Sequence, residues 1–217
     1  MADLDRDLIS KREKTMLISF LISSAAPIVT GVTAIMSRSA TQIADFLRRT
    51  AELTSLFISW WVYRKLHKET EYDDMYRVRM ERIADITVSG AMICSGAAML
   101  VVGISRLFIY KISGSVIMGF IIAILGLLVN SGFWWRYSAM IRERFDPIIA
   151  GQHKLYRAKV FVDVAVVAAL ASVVVAPSHP ITKYIDALGC IIVSGYLLYN
   201  GLDIVRKNII DKGVDNI

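Results

Sequence analysis

The sequence is broken into apolar runs of about twenty residues, long enough to cross the hydrocarbon of a bilayer, with charged segments between them. Of its 217 residues, 55% are apolar. A single soluble core of this size does not hide that much apolar surface. The apolar residues come in continuous stretches, not in the alternation of a half-buried strand. In hydrocarbon every backbone polar group must be satisfied within its own segment. The chain therefore reads as an all-α, polytopic transmembrane bundle.

Six spans are expected at about 15–36, 43–63, 83–108, 114–135, 156–176 and 184–204. They divide the chain into a cytoplasmic N-terminal segment (1–14), a transmembrane domain (15–205) and a cytoplasmic tail (206–217). The N-terminus is polar and mixed in charge, unlike a cleavable signal peptide, so the first run is expected to stay in the mature protein. No soluble domain is expected after the last span, and no internal repeat is evident. Pro27 lies inside the first run, where membrane helices tolerate it. Pro177 and Pro180 fall in the connection between the last two runs.

The basic residues set the expected orientation. Arg6, Lys11, Arg12 and Lys14 precede the first span. Six more bases lie in 64–82, the longest charged segment. Others gather at 136–157 and in the tail, whereas the intervening short loops hold only Arg38, Lys111 and Lys183, with Arg106 near a helix end. By the positive-inside rule both termini face the cytoplasm, which requires an even number of spans. Topology thus accounts for the formal net charge of +6, and a nucleic-acid partner is not expected. Short loops and the lack of a targeting segment point to a bacterial inner membrane. Cys94 and Cys190 sit in apolar runs, outside any metal-ligand spacing. His67, His153 and His179 lie in or near loops and are expected at the surface. Trp60, Trp61 and Tyr63 end the second run and fit an interfacial aromatic belt.

Ionisable residues inside hydrocarbon are expensive and call for partners or an aqueous path. Two groups qualify. Asp45, Arg49 and Glu52 share a face of the second span, being four and three residues apart. Lys159 and Asp163 are one turn apart on the fifth. If these helices meet, Asp45–Lys159 and Arg49–Asp163 are the expected cross-helix pairs. Such a constellation reads either as a cation or proton site or as a structural ion-pair network; a neighbouring base both repels a metal and lowers a carboxylate's pKa. Asn130 on the fourth span, and His153 just before the fifth, are accessory candidates. The small residues at 89–98 allow close helix contact, as in any packed membrane bundle.

The second span, SATQIADFLRRTAELTSLFISWWVYRK, and the last, HPITKYIDALGCIIVSGYLLYNGLDIVRKNIIDKG, resemble the second and sixth helices of the cation diffusion facilitator (cation efflux) family. The stretch YDDMYRVRMERIADITVSG resembles that family's entry to its third helix, with Arg79 and Glu81 at its basic and acidic positions and Tyr76 and Arg77 where it has Gly-His. The resemblance implies a six-helix transporter of divalent metals, a homodimer that exchanges metal for protons. It places Asp45 and Asp163 at metal-ligand positions. Arg49 and Lys159 stand at the other two ligand positions, so the ligand set is altered and weak zinc affinity is expected.

Two functions follow. The first is a secondary transporter of a cation, a divalent metal among the candidates, coupled to protons, with its site between the second and fifth helices and Lys159 as a proton-responsive element. The second is a non-transporting relative, a partner subunit, regulator or scaffold in which salt bridges replace the site. No nucleophile–base set, HExxH or nucleotide loop is present in the sequence, so neither an enzyme nor a cofactor is expected.

Overall fold

The computed structural model describes residues 2–37, 40–68, 73–108, 116–175 and 181–214. Among them six helices follow one another with no strand: α1 (Ala2–Ser37), α2 (Ala40–Lys68), α3 (Asp74–Phe108), α4 (Val116–Glu143), α5 (Pro147–Val175) and α6 (Ile181–Val214). Five of them are long and apolar enough to cross a membrane. The exception is α2, whose Asp45, Arg48, Arg49 and Glu52 lower its hydropathy.

The helices outrun the expected spans. α3 has 35 residues, about 50 Å at about 1.5 Å per residue, against hydrocarbon of about 30 Å. Much of the charged stretch 64–82 is therefore helical, because α2 runs to Lys68 and α3 begins at Asp74. The same holds for 136–157, where only three residues separate α4 from α5. Length beyond the bilayer carries the charges into water without breaking the backbone bonds. Lys111, Pro177, His179 and Pro180 lie outside the described residues.

Packing runs α1 to α2, α2 to α3, α3 to α6, α6 to α5 and α5 to α4, and α5 also reaches α3 and α2. α1 and α4 are joined by side-chain bonds. Arg12, only 3% exposed, donates from Nη2 to the carbonyls of Met140 at 2.6 Å and Arg144 at 2.7 Å. A cation there satisfies orphan carbonyls and complements the dipole at the C-terminus of α4. Arg136 Nε donates to Thr15 Oγ1 at 2.8 Å, and the Ser19 and Tyr137 hydroxyls share a 3.0 Å bond. α5 starts sharply because Asp146 caps it, accepting from the N–H groups of Ile148 and Ile149.

The most intimate contact is the antiparallel pair α3–α6. A Cβ at Gly201 would lie 2.7 Å from Ile93 Cγ1 and 3.1 Å from the Ser89 carbonyl, and one at Gly103 would lie 2.9 Å from Cys190 Cβ. Glycine is required at both positions for the backbones to come this close. The small residues at 89–98 thus do what their composition allows.

Two surface assignments change. Tyr63 is 1% exposed and stacks on His67 with ring centroids 4.2 Å apart. Of the expected belt residues on α2, Trp61 is exposed and Trp60 half-buried. His67 is turned inward by the same contact, donating from Nδ1 to the Tyr63 carbonyl at 2.9 Å while Nε2 lies 3.8 Å from Asp146 Oδ2.

Candidate functional site

The charges on α2 belong to successive turns of one helix, so they sit close to one another before any tertiary contact forms. Asp45 is satisfied within its own helix: Arg48 Nη2 donates to Oδ1 at 3.0 Å, and Arg49 Nε donates to Oδ2 at 2.9 Å. Both carboxylate oxygens are thereby engaged by guanidinium groups. The expected Asp45–Lys159 pair does not form, because bases three and four residues away satisfy Asp45 without helix docking.

Glu52, two turns along, is the residue that crosses to α5. Its Oε2 lies 3.4 Å from Lys159 Nζ, and Ser95 Oγ on α3 donates to Oε1 at 3.0 Å. Arg48 Nη1 stands 3.9 Å from Oε1. The Lys159 ammonium also lies over the Tyr156 ring, 4.9 Å from its centroid. Lys159 is only 9% exposed, and at that depth an unpaired ammonium is costly. Glu52, Ser95 and the ring supply its compensation directly and through the shared carboxylate. A second α2–α5 tie lies toward the α2 C-terminus, where Gln152 Nε2 donates to Ser59 Oγ at 2.7 Å and both residues are wholly buried.

Asp163 is treated differently. The expected Arg49–Asp163 pair is not formed, since Arg49 is held by Asp45. Instead the amide of Asn130, on α4, donates to Asp163 Oδ2 at 2.7 Å. Among the described residues no base forms an ion pair with Asp163. Asn130, an accessory candidate, thus lies beside Asp163 on the cavity wall. His153 is not: its Nε2 accepts from Trp134 Nε1 at 3.0 Å, and it takes no part in the cavity wall.

A cavity of about 520 Å³ opens among α1, α2, α4 and α5. Arg48, Arg49, Glu52, Lys159, Asp163 and Asn130 form its polar side. Ile22, Val29, Ile122, Leu125 and Val129 form much of the rest. It lies beyond the bonds that join α1 to α4 at residues 12–19 and 136–144, where 22–30 and 122–130 present aliphatic side chains together with Ser23, Thr30 and Asn130.

Sequence spacing brought out Asp45, Arg49, Glu52, Lys159 and Asp163 but not their connections. Ser95 was hidden in a small-residue stretch that reads as packing. Arg48, which is not among the expected site residues, bridges Asp45 and Glu52. The donor set is poor for a metal: among the described residues no group of three or more His, Cys, Asp or Glu side chains gathers as a metal site, and the oxygens of Asp45, one of the two expected ligands, are already engaged by arginines.

No curated protein is similar enough to the chain to count as a relative. The family model described as the cation efflux transmembrane domain matches residues 16–211. That match covers α2 to α5 whole and most of α1 and α6, includes every residue of the charged cluster, and the chain belongs to the cation efflux transmembrane domain family.

Proposed function

We propose that the protein is a proton-coupled secondary transporter of a cation, with its working site in the cavity beside the α2–α5 charges. Membership of a family of cation transporters supports transport in general. The observation that carries the particular site is Asp163, a cavity-lining carboxylate held by an amide and not by a base. Such a carboxylate is available to trade a proton for a cation. Glu52 and Lys159 serve as its electrostatic frame, since each already has a partner of opposite charge. With both termini cytoplasmic, as the basic segments favour, the cavity lies near the middle of the first span. Alternating access would then come from α1 and α4 parting or closing around it. Arrangement as a homodimer in the inner membrane of a bacterium completes the proposal.

A second reading, a non-transporting partner subunit or scaffold, is favoured by the self-neutralised charges on α2. Proteoliposomes with an internal pH dye and a panel of external cations separate the two. Under transport, some cation drives proton movement and Asp163→Asn abolishes it. If well-folded, oriented protein moves no protons with any cation, the partner-subunit reading takes its place.

A further inference from the structure

The cavity and its charges together restrict the cargo. Three bases, Arg48, Arg49 and Lys159, face three acids, Asp45, Glu52 and Asp163. Asp45 holds both arginines, and Glu52 holds Lys159 and approaches Arg48. Among the described residues Asp163 forms no ion pair, so within this cluster it is the carboxylate free to give up a proton and accept a charge in return. One proton leaving and one monovalent cation arriving leaves the cluster's charge the same in both states. A divalent ion exchanged for the same proton adds a positive charge beside Arg48 and Lys159, where little water screens it. Glu52, already a carboxylate, has no second proton to release, and the ammonium proton of Lys159 is held by its pair with Glu52.

The walls narrow the choice further. A bare monovalent metal ion needs a shell of oxygens to replace its water, whereas the oxygens here are the Asp163 carboxylate, the Asn130 amide, the Ser23 and Thr30 hydroxyls and a Glu52 carboxylate already paired with Lys159, set among three bases and aliphatic side chains. A volume of about 520 Å³ with apolar walls and a few polar groups is that of a site for a small organic molecule. Aliphatic surface from Ile22, Val29, Leu125 and Val129 rewards an apolar body, while Asp163 on the polar side rewards a charge.

We infer that the cargo is a lipophilic organic monocation, seated among α1, α2, α4 and α5 with its charge against Asp163 and exchanged for the proton that Asp163 carries. This inference rests on the proposed transport reading and sharpens it.

The test uses purified full-length protein in detergent and tetraphenylphosphonium as the probe, with binding followed by calorimetry and proton release by a pH dye. Expected are saturable binding, close to one proton released per cation, and a loss of affinity of about 30-fold or more in Asp163→Asn, the scale for removing one partner of a buried charge pair. Asp163→Glu keeps the charge and is expected to restore binding, which separates a lost counter-ion from a lost fold. Binding that is equally strong in wild type and Asp163→Asn overturns the inference. So does an absence of saturable binding in protein that melts cooperatively. In either case, Asp163-dependent proton movement driven by a divalent metal in proteoliposomes would leave the transport reading standing with a different cargo. If no cation drives Asp163-dependent proton movement, the transport reading falls too.

Discussion

The α3–α6 seam and the α2–α5 contact join helices by opposite means. α3 and α6 meet through glycine and small side chains, close enough that a single added methyl at Gly201 or Gly103 would collide. α2 and α5 meet through Glu52–Lys159 and Ser59–Gln152, and a cavity borders their charges. The first contact relies on van der Waals fit, which is strong between lipid-solvated helices only at close range. The second relies on charge and hydrogen bonds in low dielectric, which are strong but leave space beside them. A rigid seam next to a looser, charged contact is an arrangement in which one half can move while the other holds.

That contrast can be broken on either side. The largest effect is expected at Glu52→Gln, which leaves Lys159 buried without its counter-charge and costs about 3 kcal/mol or more. Thermal unfolding in detergent should show it, and Glu52→Gln combined with Lys159→Met should recover more than half of the loss. If the double variant is as unstable as the single one, the pair is not what joins α2 to α5. Next is Gly201→Leu, which drives side-chain atoms into Ile93 and the Ser89 carbonyl and costs about 1–3 kcal/mol. The same unfolding assay reads it, and a neutral result would mean that the seam is looser than its geometry implies.

Arg12→Ala removes two charge-assisted bonds to the end of α4 and should cost about 2 kcal/mol. Hydrogen exchange should rise first in the last turn of α4; exchange rising elsewhere instead would contradict the capping role. Smallest is Gly90→Ala, on α3 like Gly103 but with nothing within 4 Å of the added Cβ. It should leave stability within about 0.5 kcal/mol or raise it slightly, because alanine is the better helix former. A large loss there would show that the outward side of α3 is covered.

These two contacts also differ in how far the sequence disclosed them. Apolar runs disclosed the six helices, and the small residues at 89–98 allowed a close contact on α3 without marking its face, since Gly90 among them is open and Gly103 beyond them is in contact. The charges at 45, 49, 52, 159 and 163 were conspicuous for the same reason: nothing else in hydrocarbon looks like them. What spacing along a helix does not contain is the axial offset between two helices. Shifted by about two turns along α2, Lys159 meets Glu52 in place of Asp45, and Asp163 passes Arg49 to meet Asn130 on α4. Arg12 posed another problem, since a basic residue before the first span reads as a topology signal. Only the fold shows it buried against the end of α4.

In the proposed exchange Asp163 gives up its proton while Glu52 stays ionised as the partner of Lys159. Infrared difference spectroscopy of the carboxyl groups, recorded on the purified protein as pH is changed, tests it most directly. A protonated-carboxyl signal is expected that disappears in Asp163→Asn and persists in Glu52→Gln. A signal that survives Asp163→Asn and vanishes in Glu52→Gln would contradict it and move the exchanging proton to the α2–α5 pair.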